Sequence, residues 1–353
     1  MTVAFYAPLK APDHPVPSGD RTMARALLRA LDHAAFKVDL ASDLRVYDRV
    51  GDSARQTDLA ALADAEIRRI LALPAARTWG CWLTYHNYYK APDLIGPSVT
   101  RALGIPYLQV ESTRARKRLT GPWARFAAAA EDASNHAHTI LYVTHRDAET
   151  LRRDAPAGQV LTHLPPFLDR SDLPARTDYS GPMLCVGMLR HGDKLASYRL
   201  IADTLSRLKV DWRLDIAGSG PAEGEVAQMM APFGPRVRML GLLSRAALEA
   251  HYGQARLLFW PGVNEAFGYA YLEAQAAGLP VVAQDRPGVR DVVLGVQPAV
   301  SDGPPAMADR LARLITEPDQ CRALGTAARD GVAARHLLPA AASTLRTVIE
   351  AAR

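Results

Sequence analysis

Short apolar runs alternate with amphipathic stretches along the whole chain. Thr2 to Ala7 predicts a strand, and Met23, Leu27, Leu28 and Leu31 then recur at helical spacing, with Ser18 or Asp20 as N-cap. Between them lies a polar loop containing Pro12, Pro15 and Pro17. Leu59 to Leu73 predicts an Ala/Leu-rich helix, Thr78 to Thr84 a strand and Val99 to Leu103 a helix. Ile105 to Val110, Thr139 to Thr144 and Val160 to Leu164 predict further strands. Leu168 to Pro182 is polar, carries prolines and a glycine, and predicts a linker. The strand pattern restarts at Met183 to Leu189 and returns at Trp212 to Ala217, Val237 to Leu243, Ala255 to Trp260 and Val281 to Ala283. Ala306 to Ile315, Pro318 to Ala334 and Pro339 to Ala352 predict terminal helices. This alternation argues for α/β architecture with a doubly wound parallel sheet in each half. In such sheets ligands bind outside the C-terminal ends of the strands.

One stretch concentrates chemistry. From Asn264 to Val282 the chain reads as loop, helix and strand, with the helix from Tyr269 to Ala277 stopped by Gly278 and Pro280. It carries two carboxylates, Glu265 in the loop and Glu273 in the helix. On one regular helix, residues with this spacing would be turned by about 80° and separated by ~12 Å along the axis. The pair therefore suits two ends of an extended ligand rather than one shared proton or metal. The helix start between them offers free N–H groups to a phosphate, and Gly268 lets a ligand approach the backbone. An anion in the middle with hydroxyls at both ends describes a nucleotide diphosphate sugar.

The same stretch closely resembles the E-x7-E signature of GT-B retaining glycosyltransferases of family 4, from Glu-x-Phe-Gly through Glu-Ala-x-Ala-x-Gly-x-Pro-Val. The resemblance implies two Rossmann-like doubly wound domains facing a cleft: 1–170 on the acceptor side, 171–335 for the donor, and a terminal helix in 336–353 crossing back to the first domain. It implies that Glu273 holds the donor ribose, and that Glu265 with the amides of Phe267, Gly268 and Tyr269 holds the transferred sugar. Arg190 and Lys194, after the Met183 to Leu189 strand, stand where the family neutralises the diphosphate; Gly19 stands at the family's glycine loop and Met239 beside its base site. The family generally needs no metal or other cofactor. The chain departs from it in Leu195-Ala196 after Lys194, in Pro287-Gly288-Val289-Arg290-Asp291, and after Val110, where many relatives carry a histidine and this chain has Glu111 and Ser112. The expected reaction is sugar transfer from a UDP- or GDP-sugar to an acceptor hydroxyl of a glycan, lipid or small metabolite. Rival readings are a GT-B nucleotide-sugar epimerase, a phosphorylase of the same fold, and a non-catalytic GT-B partner subunit.

Two segments of the first half are acceptor-side candidates. Tyr85 to Asp93 is rich in aromatic and polar residues, with His86 and Tyr88 foremost; its rings either stack on a sugar or cap the core. Glu111 to Arg118 offers Glu111 to an acceptor and the basic residues from Arg114 onward to a phosphate, a carboxylate or solvent. With Trp123 and Phe126 as interfacial anchors, the basic segment is also a candidate for peripheral contact with an anionic membrane.

Composition narrows the rest. With 353 residues, 48% of them hydrophobic, two domains of ordinary size are expected. A net charge of +5, dispersed along the chain, excludes a nucleic-acid footprint and suits an anionic ligand. No apolar run approaches the ~20 residues needed to span a bilayer. Cys81, Cys185 and Cys321 lie far apart, without metal-type spacing, and no basic-then-apolar leader opens the chain, so a reducing cytoplasm is expected.

Overall fold

A computed structural model describes residues 1–15 and 18–353; Pro17 of the proline-containing loop lies outside them. The chain forms two compact units, Met1–Pro165 with Leu338–Arg353, and Pro166–Leu337.

The first unit runs β1 (Thr2–Tyr6), α1 (Gly19–His33), β2 (Lys37–Ser42), α2 (Ser53–Ala72), β3 (Trp79–Tyr85), α3 (Gly96–Leu103), β4 (Tyr107–Val110), α4 (Ala124–His136), β5 (Thr139–Tyr142), α5 (His145–Asp154) and β6 (Val160–His163). Its strands form one parallel sheet in the order β2-β1-β3-β4-β5-β6. The inner strands are apolar on both faces, as a sheet covered by helices on each side requires. Trp82 is fully buried and meets Tyr6 and Trp79 edge-on, with ring centroids 6.1 and 5.9 Å apart. Edge strand β2 was not expected from the sequence. Its Lys37 and Leu40 are exposed, so the strand owes its place to backbone pairing with β1 rather than to an apolar pattern.

Ser18 caps α1, its hydroxyl accepting from Arg21 N at 3.2 Å. The helix buries Met23, Leu27 and Leu31.

The second unit runs β7 (Met183–Val186), α6 (Asp193–Leu205), β8 (Leu214–Ala217), α7 (Glu223–Met230), β9 (Val237–Gly241), α8 (Arg245–Tyr252), β10 (Leu258–Phe259), α9 (Tyr269–Ala276), β11 (Val281–Val282), α10 (Pro287–Arg290), α11 (Gly303–Thr316) and α12 (Pro318–Arg335). Its parallel sheet has the order β11-β10-β7-β8-β9. After it, α13 (Leu338–Ala351) returns to the first unit and packs on α1, with Leu345 and Ile349 fully buried.

The stretch expected as a linker is instead packed into the second unit. Leu168 is buried and bridges to Leu337, Thr177 donates to Ala255 O at 2.6 Å, and the Tyr179 hydroxyl donates to Gly278 O at 2.7 Å. The crossing points accordingly fall at Pro165 and Leu337.

Candidate active site

In the second unit the expected donor residues converge on the C-terminal ends of neighbouring strands. Arg190 and Lys194 follow β7, and Glu265 follows β10. Lys194 Nζ pairs with Glu265 Oε1 and also lies 5.2 Å from the Trp260 ring centroid. Trp260 Nε1 donates to the same Glu265 oxygen at 2.9 Å. Two further ties bind this loop to the start of α6: Asn264 Nδ2 donates to Asp193 Oδ2 at 2.8 Å, and Val263 N donates to Ser197 Oγ at 3.0 Å. Asn264 adopts the left-handed conformation (φ 51°), which its side chain tolerates better than most. Arg190 is exposed and has no ion-pair partner among the described residues. The turn after β8 holds the loop that carries it, Ser219 O accepting from Leu189 N at 3.0 Å.

Gly268 begins the next turn with φ 72°, and a Cβ there would sit 2.8 Å from the Tyr271 ring. Only glycine serves this entry to α9 without displacing Tyr271, whose hydroxyl donates to Trp260 O at 3.0 Å. Phe267 and Tyr269 meet edge-on at 5.2 Å on either side of it. Glu273 lies half-buried one turn on and accepts from the Tyr252 hydroxyl at 3.1 Å. Burial raises its pKa above the ordinary glutamate value, and the Tyr252 bond opposes that rise. Met239 is half-buried in edge strand β9. Gln275, fully buried, donates to Val292 O at 2.8 Å and accepts from Leu294 N at 2.8 Å, fixing α9 against the segment that follows α10.

The first unit carries a second cluster, also at strand C-termini. His86 follows β3, Glu111 follows β4, Asp147 lies in the first turn of α5 after β5, and Asp20 in the first turn of α1 after β1. His86 Nδ1 lies 3.0 Å from Asp20 Oδ1. His86 and Glu111 both adopt left-handed backbone, with φ 66° and 57°, a conformation that costs a non-glycine residue about 1–3 kcal/mol. Burial would lower the His86 pKa, but the charges of Glu111, Asp20 and Asp147 outweigh it and the imidazole is raised above its ordinary value. Burial raises Glu111, and the hydrogen bond to His86 lowers Asp20. Tyr88 lies tilted against His86 at 4.7 Å and meets Tyr89 at 5.7 Å; Tyr89 in turn meets Trp123 at 5.7 Å.

Buried Asn87 and Asp93 hold this aromatic loop. Asn87 Oδ1 accepts from Asp93 N at 2.9 Å, and its Nδ2 donates to Ala130 O and Ser134 Oγ, each at 3.0 Å. Asp93 Oδ1 accepts from Ile95 N and Gly96 N, and its Oδ2 from the Tyr107 hydroxyl at 2.8 Å.

The basic segment takes a different part from the one its composition suggests. Arg114 does not face an acceptor: its side chain is fully buried, with Nη1 donating to Glu131 Oε2 at 2.7 Å and Asn135 Oδ1 at 2.8 Å. A guanidinium so enclosed is held by its carboxylate partner. Arg116 pairs with Asp154 at 3.4 Å, and Arg118 lies over the Tyr89 and Trp123 rings, 5.2 Å from each. Phe126 is 1% exposed and packs with Val46 and Leu59, so it is a core residue and not an interfacial anchor. Gly19 sits exposed as the first residue of α1, and an added Cβ there would meet nothing within 4 Å.

Trp260, Tyr252, Asp147 and Asn87 were not singled out from the sequence, and Asp20 was read only as an N-cap candidate. Trp260 lay inside an apolar run, and the others come to their partners from distant elements. Among the described residues no group of three or more His, Cys, Asp or Glu side chains is placed to hold a metal ion, and no helix is long and apolar enough to cross a membrane. All three cysteines are buried and free, the Cys185 thiol pushed up to about 12 by burial.

The chain is similar to known proteins in sequence and in fold. Residues 182–317, covering most of the second unit, match the glycosyl transferases group 1 family. The chain is 28% identical over 275 residues to the alpha-D-kanosaminyltransferase of Streptomyces kanamyceticus, covering 70% of this chain and 71% of that one. Its fold is similar to sucrose-phosphate synthase from Thermosynechococcus elongatus (TM-score 0.71, 17% identity, 99% and 98% of the two chains). It is likewise similar to Anabaena HepE in complex with UDP and glucose (TM-score 0.69, 14% identity, 99% and 100%). The second unit thus matches the group 1 glycosyl transferases, and the whole chain has the two-sheet GT-B fold of these structures. It is a hexosyltransferase.

Proposed function

We propose that the protein is a retaining glycosyltransferase of family 4 that moves a sugar from a UDP- or GDP-sugar to an acceptor hydroxyl without a metal. The observation that carries this reading is the Lys194–Glu265 pair beside Trp260, with Gly268 and Glu273 on the same turn-and-helix unit. Glu273 accepts from the donor ribose hydroxyls, as its partly buried carboxylate suits. Glu265 accepts from hydroxyls of the transferred sugar, and Lys194 and Arg190 meet the diphosphate. The bond between the anomeric carbon and the β-phosphate oxygen breaks as the acceptor oxygen bonds to the same carbon. The acceptor proton passes to the departing phosphate, whose new charge Arg190 and Lys194 offset. Fixed cations of this kind do the work that a metal does elsewhere. Binding of UDP and glucose by HepE supports a nucleotide-sugar donor.

The test is transfer from UDP- and GDP-sugars in the presence of EDTA, with nucleoside diphosphate release measured and the product's anomeric configuration read by NMR. The reading expects one donor class to react, the starting configuration to be kept, and Glu265→Ala to lower kcat by about two orders of magnitude, as loss of one positioned group does elsewhere. An inverted product, or activity that needs added divalent metal, would overturn it.

A further inference from the structure

We propose that the acceptor carries at least one protonated amine, received by the carboxylates at the C-terminal edge of the first sheet. This rests on the glycosyl-transfer reading above and names the chemistry of its acceptor.

Four adjacent strands, β1, β3, β4 and β5, deliver Asp20, His86, Glu111 and Asp147 to one edge. Three carboxylates face one imidazole there, so even with His86 charged the cluster keeps an excess of negative charge. Glu111 supplies the independent observation: Tyr85 hydrogen-bonds its carboxylate, yet Oε2 is buried and has no hydrogen-bond partner. An unpaired buried oxygen costs about 1–3 kcal/mol. A carboxylate held so, on a strained backbone, is arranged for a donor that arrives with a ligand. Asp147 is committed by its bonds from Thr144 at 2.6 Å and Thr113 at 3.4 Å, so it contributes charge more than contact.

Neighbouring cations do not cancel this field. Arg114, Arg116 and Arg118 are engaged with Glu131, with Asp154 and with the Tyr89 and Trp123 rings. Lys10 offsets part of the Asp20 charge but is not among the charges acting on Glu111, and Arg45 acts on the Tyr88 phenol. The Tyr88 ring, tilted against His86, supplies an aromatic surface beside the carboxylates, which suits the apolar side of a ring as well as a cation. Neutral hydroxyls can also donate to these oxygens. A charged donor to a charged acceptor makes a bond about twice as strong, so an amine in place of a hydroxyl should be preferred.

The experiment is calorimetry on the full-length protein with scyllo-inosamine and scyllo-inositol, two rings that differ by one amine for one hydroxyl. The proposal expects the amine to bind at least about ten-fold more tightly at neutral pH, and Glu111→Gln to remove most of that preference. Retention of the nucleoside diphosphate-induced thermal shift in Glu111→Gln shows that the variant is folded. Equal binding of the two rings, binding of neither, or a preference unchanged in Glu111→Gln overturns the proposal. If the amine is preferred but no nucleoside diphosphate binds the wild type, the donor reading fails and this one stands.

Discussion

Lys194 Nζ sits against Glu265 Oε1, joining the loops that leave adjacent strands β7 and β10. The carboxylate is fixed from the other side by Trp260 Nε1 at 2.9 Å. Both charges keep some contact with solvent, their side chains being 26% and 13% exposed. The pair is therefore a weak fastening and a well-placed set of charges. Donor binding would exchange part of the lysine's bond to Glu265 for one to phosphate.

Lys194→Met should leave stability within about 1 kcal/mol of the wild type, because partly exposed pairs contribute little. It should lower kcat by about two to three orders of magnitude, the effect of removing one preorganised charge at a developing anion. Steady-state kinetics beside thermal unfolding separates the two; a large loss of stability with near-normal kcat would show the pair to be structural only.

Glu273 gives a pH dependence of known sign. Burial raises its folded pKa above the unfolded value. The stability it contributes is thus fully present below the ordinary glutamate pKa and is lost as pH rises through the raised folded value. Glu273→Gln should remove that slope, so the variant gains on the wild type as pH rises. Nucleoside diphosphate affinity should move the opposite way, rising in the wild type over the same window as the carboxylate ionises to receive the ribose hydroxyls. Parallel titrations of both proteins from pH 4 to 8 (about the window set by the ordinary value near 4.3) check this; identical profiles would contradict it.

Gly288 lets α10 lie directly on the active-site loop. A Cβ there would overlap the carbonyl oxygens of Ala266 and Glu265, which are backbone and cannot swing aside. Gly288→Ala should destabilise the protein by about 1–3 kcal/mol. It should also impair turnover, since it displaces Glu265 itself. Denaturant unfolding and donor kinetics read the two effects; a variant as stable and as active as the wild type would show the contact to be loose.

Asn87 acts through others: fully buried, it binds the loop bearing His86 and Tyr88 to α4. Asn87→Ala leaves Asp93 N and Ala130 O without their side-chain partner, at about 1–3 kcal/mol for each buried group left unpaired. Acceptor KM should rise while nucleoside diphosphate affinity is kept. A variant that loses nucleotide binding instead would move Asn87's influence to the second unit.

How far the sequence carried depended on where the information lay. Both sheets announced themselves because their inner strands are continuous apolar runs. The Glu265–Glu273 unit was legible because loop, helix and both carboxylates lie within one short stretch. Each of Lys194 and Glu265 was identified, but not their pairing, since they are 71 residues apart and meet only through the order of β7 and β10. The acidic edge of the first sheet was partly hidden for the same reason. His86 and Glu111 stood out, while Asp20 read only as an N-cap candidate and Asp147 carried no signal. The basic run after Glu111 misled because charge composition does not show direction. Arg114 turns inward to Glu131, and Phe126 turns into the core. Strand β2 escaped because an exposed edge strand needs no apolar alternation.

On the proposed reading, the second unit binds a nucleoside diphosphate through Glu273 and its neighbours. Thermal unfolding in EDTA against UDP, GDP, ADP, TDP and CDP tests it most directly. Saturation at about 100 times the dissociation constant adds about 2.7 kcal/mol of stability. The midpoint should rise with UDP or GDP, and Glu273→Ala should abolish the rise. No shift with any nucleotide, or a shift that survives in Glu273→Ala, would contradict it.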